Sequence, residues 1–171
     1  VLMEGTNLPE NLMFQANVPV GHESALRMVD NFCEVAEPSA ALEFGKRMTL
    51  SKHGALGFAA QYSATIEDAA DKVERYIATR AQLFELERDH DASSRHLYIK
   101  PKLEQTRAVN FMVLAFLSSV ETICRNIVPE NFRSTPSMIQ IIGKDDLTDQ
   151  TRLPNCAVYT SAPINCLTWP R

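Results

Sequence analysis

The chain has 171 residues and a mass of 19.1 kDa, enough for one domain with a buried core. Hydrophobic residues make up 45% and charged residues 22%, which excludes a disordered chain. The formal charge of −4 and the pI of about 5.6 argue against a chain that holds DNA by its own surface, because phosphate contacts need basic residues.

Cysteine usage and the first residues indicate a reducing, cytoplasmic setting. The four cysteines form no CxxC pair and no zinc-like spacing, and apolar neighbours favour buried free thiols. A disulfide between Cys156 and Cys166 is left open. The first residues lack a signal peptide, and the longest apolar run, residues 111–117, is shorter than the roughly 20 residues that span a bilayer. We therefore expect a soluble, cytoplasmic protein without a membrane partner.

Apolar periodicity predicts two helices near the start of the chain. The first covers about residues 24–37, and Pro38 ends it because a proline ring blocks the preceding helix. The second runs from Ser39, an expected N-cap, to about residue 48. Gly45 belongs to the close-packing face of that helix.

Residues 53–59 (HGALGFA) hold two glycines in a run of small residues, which indicates close packing or a special turn. Their spacing matches no phosphate-binding loop. A third helix then opens at Thr65, the expected N-cap, with Asp68 in the capping-box position. Its apolar stripe extends to Ile77, so this is the best-specified helix of the chain.

The period then changes from helical to alternating, which predicts a β-hairpin. The expected strands are residues 83–87 and 96–100, and Pro101 ends the second. Small and polar residues between them, at positions 88–95, predict a solvated loop.

The rest of the chain predicts a long helix over about residues 105–128, a strand over 137–142 and two short strand-like runs at 156–160 and 165–169. In total, two or three strands are expected after the long helix. The helix is apolar on nearly every face in its middle, so it should be buried. Segregated runs of helices and strands favour an α+β fold over alternating βαβ units. We expect N-terminal helices, then a mostly antiparallel sheet of about four strands with the long helix packed on it.

Clusters of polar residues provide weak candidates for metal binding. The expected hairpin tip holds Asp89, His90, Asp91 and His96, but a solvated loop is the favoured interpretation because no rigid scaffold surrounds it. The aspartates at 145, 146 and 149 lack the spacing of a calcium loop. We therefore expect no metal site and no cofactor.

The sequence also contains no catalytic motif. A catalytic His53 would need a nucleophile and an orienting acid, and neither a GxSxG elbow nor an HExxH helix is present. A capping or structural role for His53 is preferred. We assign no catalytic residues and expect a protein that is not an enzyme.

Ligand-binding candidates come from the expected seam between the long helix and the sheet. Small-molecule pockets commonly form at such seams, with a few polar groups inside. The aromatic or polar residues near this seam are Tyr62, Tyr76, Arg80 and Tyr98. Each of them also suits a purely structural role.

Three stretches, in the right order, resemble the N-terminal effector domain of AraC/XylS-type transcription regulators, the arabinose-binding-like domain. Residues 41–45 (ALEFG) are similar to a family helix written GL.LG. Residues 54–76 are similar to the pattern G.LG.A..S..T..EAL..L.RY. Residues 165–171 (NCLTWPR) resemble the family's N.L.FP strand before a linker.

The resemblance implies a sensor of a small intracellular signal that often forms a homodimer. It implies one effector-binding domain over residues 1–171, followed in the full-length protein by a C-terminal helix-turn-helix domain that contacts DNA. That half is absent here, which fits the acidic charge. Two alternatives stay open: a ligand-free dimerisation or protein-interaction module, and, more remotely, a small cytosolic enzyme.

Overall fold

Helices form the first half of the chain, and strands with one long helix form the second. The computed structural model describes residues 1–15, 18–77, 82–127, 133–144 and 153–170. The helices there are α1 (His22–Val35), α2 (Ala40–Lys46), α3 (Gly54–Gln61), α4 (Ile66–Tyr76) and α5 (Arg107–Ile127). The strands are β1 (Phe84–His90), β2 (Ser94–Pro101), β3 (Ser137–Gln140), β4 (Cys156–Tyr159) and β5 (Cys166–Pro170). Short 3-10 helices cover Glu10–Phe14 and Leu50–His53.

The five strands form one sheet in the order β1-β2-β5-β3-β4. Every neighbouring pair is antiparallel except β3 and β4, which run parallel. The expected α+β fold with a mostly antiparallel sheet is confirmed. The sheet has five strands rather than about four, because both short runs after residue 153 pair as strands.

Helix α5 is the spine of the domain. Val113, Leu114 and Leu117 are fully buried on it, as expected for a helix that is apolar on nearly every face. One side of α5 contacts β2, β3 and β5, and α1 and α2 pack against its other sides. The predicted long buried helix on a sheet is therefore confirmed.

By length and composition, the stretch Arg107–Asn126 of α5 is apolar enough to cross a membrane, and among the described residues it is alone in this. Half of its most apolar window is buried inside the protein. The packing of α5 between the sheet and two helices is the packing of a core helix.

The helix starts agree with the sequence in one case and differ in another. Thr65 caps α4 as predicted, because its hydroxyl accepts a hydrogen bond from the Asp68 backbone N–H at 3.0 Å. Asp68 accepts in turn from the Ala64 N–H at 3.2 Å. The predicted capping role of Ser39 is wrong: its backbone is already helical, and its side chain makes no capping bond.

The segment with two glycines shows both features that the sequence left open. Gly54 has a φ of +63°, which only a residue without a Cβ adopts freely, and this turn starts α3. Gly57 is buried against the backbone of Leu50, so α3 packs closely on the preceding 3-10 helix.

The hairpin differs most from expectation. The strands extend to His90 and start again at Ser94, so only residues 91–93 lie between them. The Asp91 carboxylate accepts hydrogen bonds from the backbone N–H groups of Ser93 and Ser94, each at 2.7 Å, and closes the turn. The predicted loop over residues 88–95 was wrong because backbone pairing continues through polar residues that face solvent or a cleft.

Cys156 and Cys166 both carry free thiols. The disulfide left open between Cys156 and Cys166 is therefore not formed. Burial raises the pKa of Cys124 to about 12 and that of Cys156 to about 11, so both thiols are protonated near neutral pH. These cysteines act as small apolar residues, as the sequence indicated.

Candidate functional site

A cleft of about 1120 Å³ separates α3 and α4 from α5 and the β1–β2 end of the sheet. It exists because α4 packs mainly on α3 and not on α5. Its volume slightly exceeds the upper end of the roughly 300–1,000 Å³ that is usual for small-molecule sites.

The walls of the cleft are mostly apolar because three elements present apolar faces to it. On α4 and on α5 the apolar residues recur at helical spacing, and on the sheet they alternate along each strand. These residues are Ala69, Ala70, Val73 and Ile77 from the α4 side, Phe116, Val120 and Ile123 from α5, and Leu86, Leu97 and Trp169 from the sheet.

Strand register fixes which polar residues share this inner face of the sheet. Opposite residues of antiparallel strands lie on the same face. His90 pairs with Arg95, and Arg95 pairs with Trp169, so the three form one row across β1, β2 and β5 at the end of the sheet. One step inward, Arg88 pairs with Leu97.

Arg88 ties β1 to α4 at the edge of the cleft. Its Nε donates to Glu74 at 2.7 Å, one Nη to Glu67 at 3.3 Å, and the other Nη to Asp71. These three carboxylates recur at helical spacing along one face of α4. Burial disfavours the charged form, but the hydrogen bonds to Glu74 and Asp71 outweigh it and raise the pKa of Arg88.

Arg125, near the end of α5, also has a carboxylate partner. Its Nε donates to the buried Glu121 carboxylate at 2.7 Å, and its Nη2 donates to the Ser137 hydroxyl at 2.9 Å. The Ser137 hydroxyl donates to the same Glu121 oxygen at 2.9 Å. This buried network joins α5 to β3 and leaves no charge of Arg125 uncompensated.

Arg95 differs from Arg88 and Arg125 in its exposure and in its ion pairs. It lines the cleft, its side chain is exposed, and it forms no ion pair with any residue in the described ranges. Among the described lining residues it is therefore the one arginine whose charge no carboxylate balances.

His53 lies in the cleft wall, with its Nε2 at 3.1 Å from the Ser119 hydroxyl. Ser119 donates its own proton to the Met48 carbonyl at 3.1 Å and is buried. The hydrogen bond between them must therefore run from His53 to Ser119. This is the reverse of what a base and its nucleophile need, and it agrees with the structural role preferred for His53.

Of the four residues predicted to bind a ligand, the three tyrosines are described, and none of them lines the cleft. Tyr62 follows α3 and is 82% exposed, and Tyr76 ends α4 and is 49% exposed. Tyr98 lies on the outer face of β2, stacked on His96 at a ring distance of 5.9 Å. Arg80 lies outside the described residues, so its assignment stays a prediction.

Some of the candidate metal ligands lie outside the described residues, and the others belong to the hairpin. Residues 145, 146 and 149 are outside the described ranges. In the hairpin, Asp91 is engaged by the turn and by His96, whose Nε2 lies 3.3 Å away. Across the described residues, no group of three or more His, Cys, Asp or Glu side chains could hold a metal ion.

Sequence reasoning missed Arg88 and Arg95 because both fall in the stretch that was interpreted as a loop. A signal was present: Arg88 continues the alternation of Phe84 and Leu86, and Arg95 precedes Leu97 by two residues. Extending the alternation through polar positions would have placed both arginines on the inner face.

Comparison with known proteins supports one assignment. The family model described as the arabinose-binding domain of AraC transcription regulators, N-terminal, matches residues 1–171. The fold is similar to that of the transcriptional regulator CdpR from Pseudomonas aeruginosa, with a TM-score of 0.68 and 13% identity over 94% of this chain and 52% of that chain. The chain thus spans about half of that regulator's length.

No curated protein sequence matches this chain significantly. At 13% identity the likeness to the solved regulator shows the fold alone, whereas the family match covers the whole chain. The chain therefore belongs to the family of N-terminal arabinose-binding domains of AraC transcription regulators.

Proposed function

We propose that this domain is the sensor of an AraC-type regulator, and that it binds a small molecule in the cleft between α4, α5 and the β1–β2 hairpin. The observation that carries this proposal is the cleft itself, about 1120 Å³ with mainly apolar walls and polar groups at its edge. Binding would control the contact with DNA made by a helix-turn-helix domain elsewhere in the full-length protein, in the cytoplasm.

The position of the cleft supports a mechanism. A ligand changes an equilibrium only if it binds one arrangement better than another. A molecule in the cleft would touch α4 on one side and α5 on the other, and α4 otherwise reaches the sheet through the ion pairs of Arg88. The ligand would therefore favour arrangements in which α4 is held close to α5.

A thermal-shift screen of metabolites tests the proposal. Mass action stabilises the domain by about 2.7 kcal/mol at a hundredfold excess of ligand over Kd. Ala70→Phe, which fills the cleft from α4, should abolish the shift. A flat screen, on this domain and on a chain that includes the DNA-binding half, would contradict the proposal, as would a shift that survives Ala70→Phe.

The second candidate, a dimerisation module that needs no ligand, is favoured by the outer face of the sheet. That face carries Tyr98, Met138 and Tyr159, and no helix of the described residues packs on it. Sedimentation equilibrium decides whether the domain forms a homodimer. A stable dimer with a flat ligand screen would favour this candidate over the sensor.

A further inference from the structure

The charges around the cleft are not equally available to a ligand. Arg88 is bound by three carboxylates of α4, and Arg125 is bound by the buried Glu121. Neither guanidinium can bind a second anion without losing these partners. Arg95 has no such partner among the described residues and lines the cleft from β2.

The acidic residues at the edge of the cleft do not neutralise Arg95. Glu67 and Glu74 are committed to Arg88. Asp89 also borders the cleft, but in the strand register it alternates with the face that carries Arg95. It accepts a hydrogen bond from the His90 N–H at 2.8 Å and is not ion-paired with Arg95 in the described part of the chain. The inner row at this end of the sheet is therefore His90, Arg95 and Trp169, a cationic and aromatic row.

Apolar walls and an unbalanced guanidinium occur in one continuous surface. Leu97 lies two residues from Arg95 on the same face of β2, and Trp169 lies directly opposite Arg95 on β5. Apolar lining residues such as Val73 and Val120 and the row of His90, Arg95 and Trp169 border the same cleft. An Arg fork binds carboxylate, sulfonate and phosphate oxygens through two parallel hydrogen bonds.

From these contacts we infer that the ligand of the cleft has an apolar body and one anionic group, and that Arg95 binds the anionic group. This inference rests on the proposed function. It names the chemical class of the effector, and it excludes sugars and cationic amines as the preferred ligands of this cleft.

Two fluorescent probes with the same aromatic body test it. The first, 1-anilinonaphthalene-8-sulfonate, carries a sulfonate, and the second, N-phenyl-1-naphthylamine, does not. The sulfonate probe should bind this domain more tightly than the neutral one. Arg95→Gln should weaken the sulfonate probe about tenfold, the range for a charge-assisted hydrogen bond, and leave the neutral probe unchanged.

Two variants serve as controls. Arg75→Gln removes the same charge from an exposed position on α4 that does not line the cleft, so it should change neither Kd. Ala70→Phe should weaken both probes, which places them in the cleft. Circular dichroism of each variant checks that the domain is folded.

The outcomes separate this inference from the proposed function. The inference about Arg95 is overturned if both probes bind equally well, or if Arg95→Gln leaves the Kd of the sulfonate probe unchanged. In either case, loss of binding of both probes in Ala70→Phe still supports the cleft as a binding site. Binding that ignores Ala70→Phe overturns both. If Arg95→Gln does not fold, the unmodified protein decides: raising NaCl about tenfold should weaken only the sulfonate probe, and equal salt dependence of the two overturns the inference.

Discussion

Single residues of this domain show how position in a strand decides the role of a charged side chain. Arg88 and Arg95 lie on the same face of one hairpin, Arg95 in the row at the end of the sheet and Arg88 in the next row inward. Arg88 faces the acidic side of α4 and holds that helix to the sheet. Arg95 lies beyond the reach of those carboxylates, so it keeps an unbalanced charge at the cleft.

Asp91 is a residue whose effect depends on pH. Hydrogen bonds from the Ser93 backbone and hydroxyl, then from His96 and the Ser94 backbone, hold the pKa of the Asp91 carboxyl well below its ordinary value of 3.8. A depressed folded-state pKa means that the charged carboxylate stabilises the fold above the unfolded-state pKa. That contribution is lost as the pH falls through the folded-state value.

Asp91→Asn should therefore lower the Tm at about pH 7, and the difference from the unmodified protein should narrow as the pH falls below about 4. Thermal unfolding followed by circular dichroism over a pH series measures it. A Tm difference that stays constant down to about pH 2 would show that the charge of Asp91 adds nothing to the turn.

Among the elements, the crossing of α2 and α5 depends on a residue without a side chain. Gly45 is buried on α2, and a Cβ there would lie 2.6 Å from the Cβ of Ser118. The Ser118 hydroxyl donates to the Leu42 carbonyl at 2.9 Å, so the two helices are in direct contact. The backbones of α2 and α5 cannot move apart without breaking this hydrogen bond.

Gly45→Ala should destabilise the domain by about 1–3 kcal/mol, the cost of overpacking a close contact. Gly21→Ala is the matched control, because a Cβ at Gly21 meets nothing within 4 Å and its φ of −65° suits any residue. Gly21 is the N-cap of α1, where Ala is less favourable than Gly, so the effect of Gly21→Ala should be below about 1 kcal/mol. Urea unfolding measures both variants, and equal losses would show that the α2–α5 contact tolerates a methyl group.

Two helix starts show when the local sequence is enough to predict an N-cap. Thr65 and Asp68 form the predicted cap because both partners lie within one turn of each other. Ser39 has the right residue type but the wrong backbone conformation, since Pro38 and Ser39 already form a turn that leads into α2. A cap therefore follows from the sequence only when the preceding backbone is extended.

At the scale of the whole molecule, the domain has a body that shares one buried core and a second unit that is joined to it by fewer contacts. The body is α5 with the sheet, α1 and α2, joined by the buried core. The unit is α3 with α4, which lies across the cleft and is joined to the sheet by the Arg88 ion pairs. Regions with few buried apolar contacts open at lower free energy than the core does.

Hydrogen exchange should show this division. Amides of α4 should exchange faster than those of α5 by at least about tenfold, and a ligand that fills the cleft should slow exchange in α4 more than in β4. Mass spectrometry of peptides covering residues 66–76, 107–127 and 156–159 measures both differences. Equal protection of the two helices would contradict the proposed attachment of α4.

Sequence periodicity by itself determined the helices α4 and α5, the existence of the hairpin and the α+β class. Each of these depends on apolar residues or caps that are near one another along the chain. Family motifs added the assignment to AraC-type regulators, which the family match over residues 1–171 confirms. None of this evidence depends on how distant segments meet.

The tertiary structure alone decided the order of the strands, the cleft and the role of Arg95. Residues 94–98 of β2 pair with residues 166–170 of β5, about 70 positions away, and this pairing places Trp169 opposite Arg95. Local periodicity carries no information about such pairing, nor about the gap that α4 leaves beside α5. The physical reason is that a cleft forms where neighbouring elements do not pack together. A sequence pattern shows only which faces are apolar enough to pack.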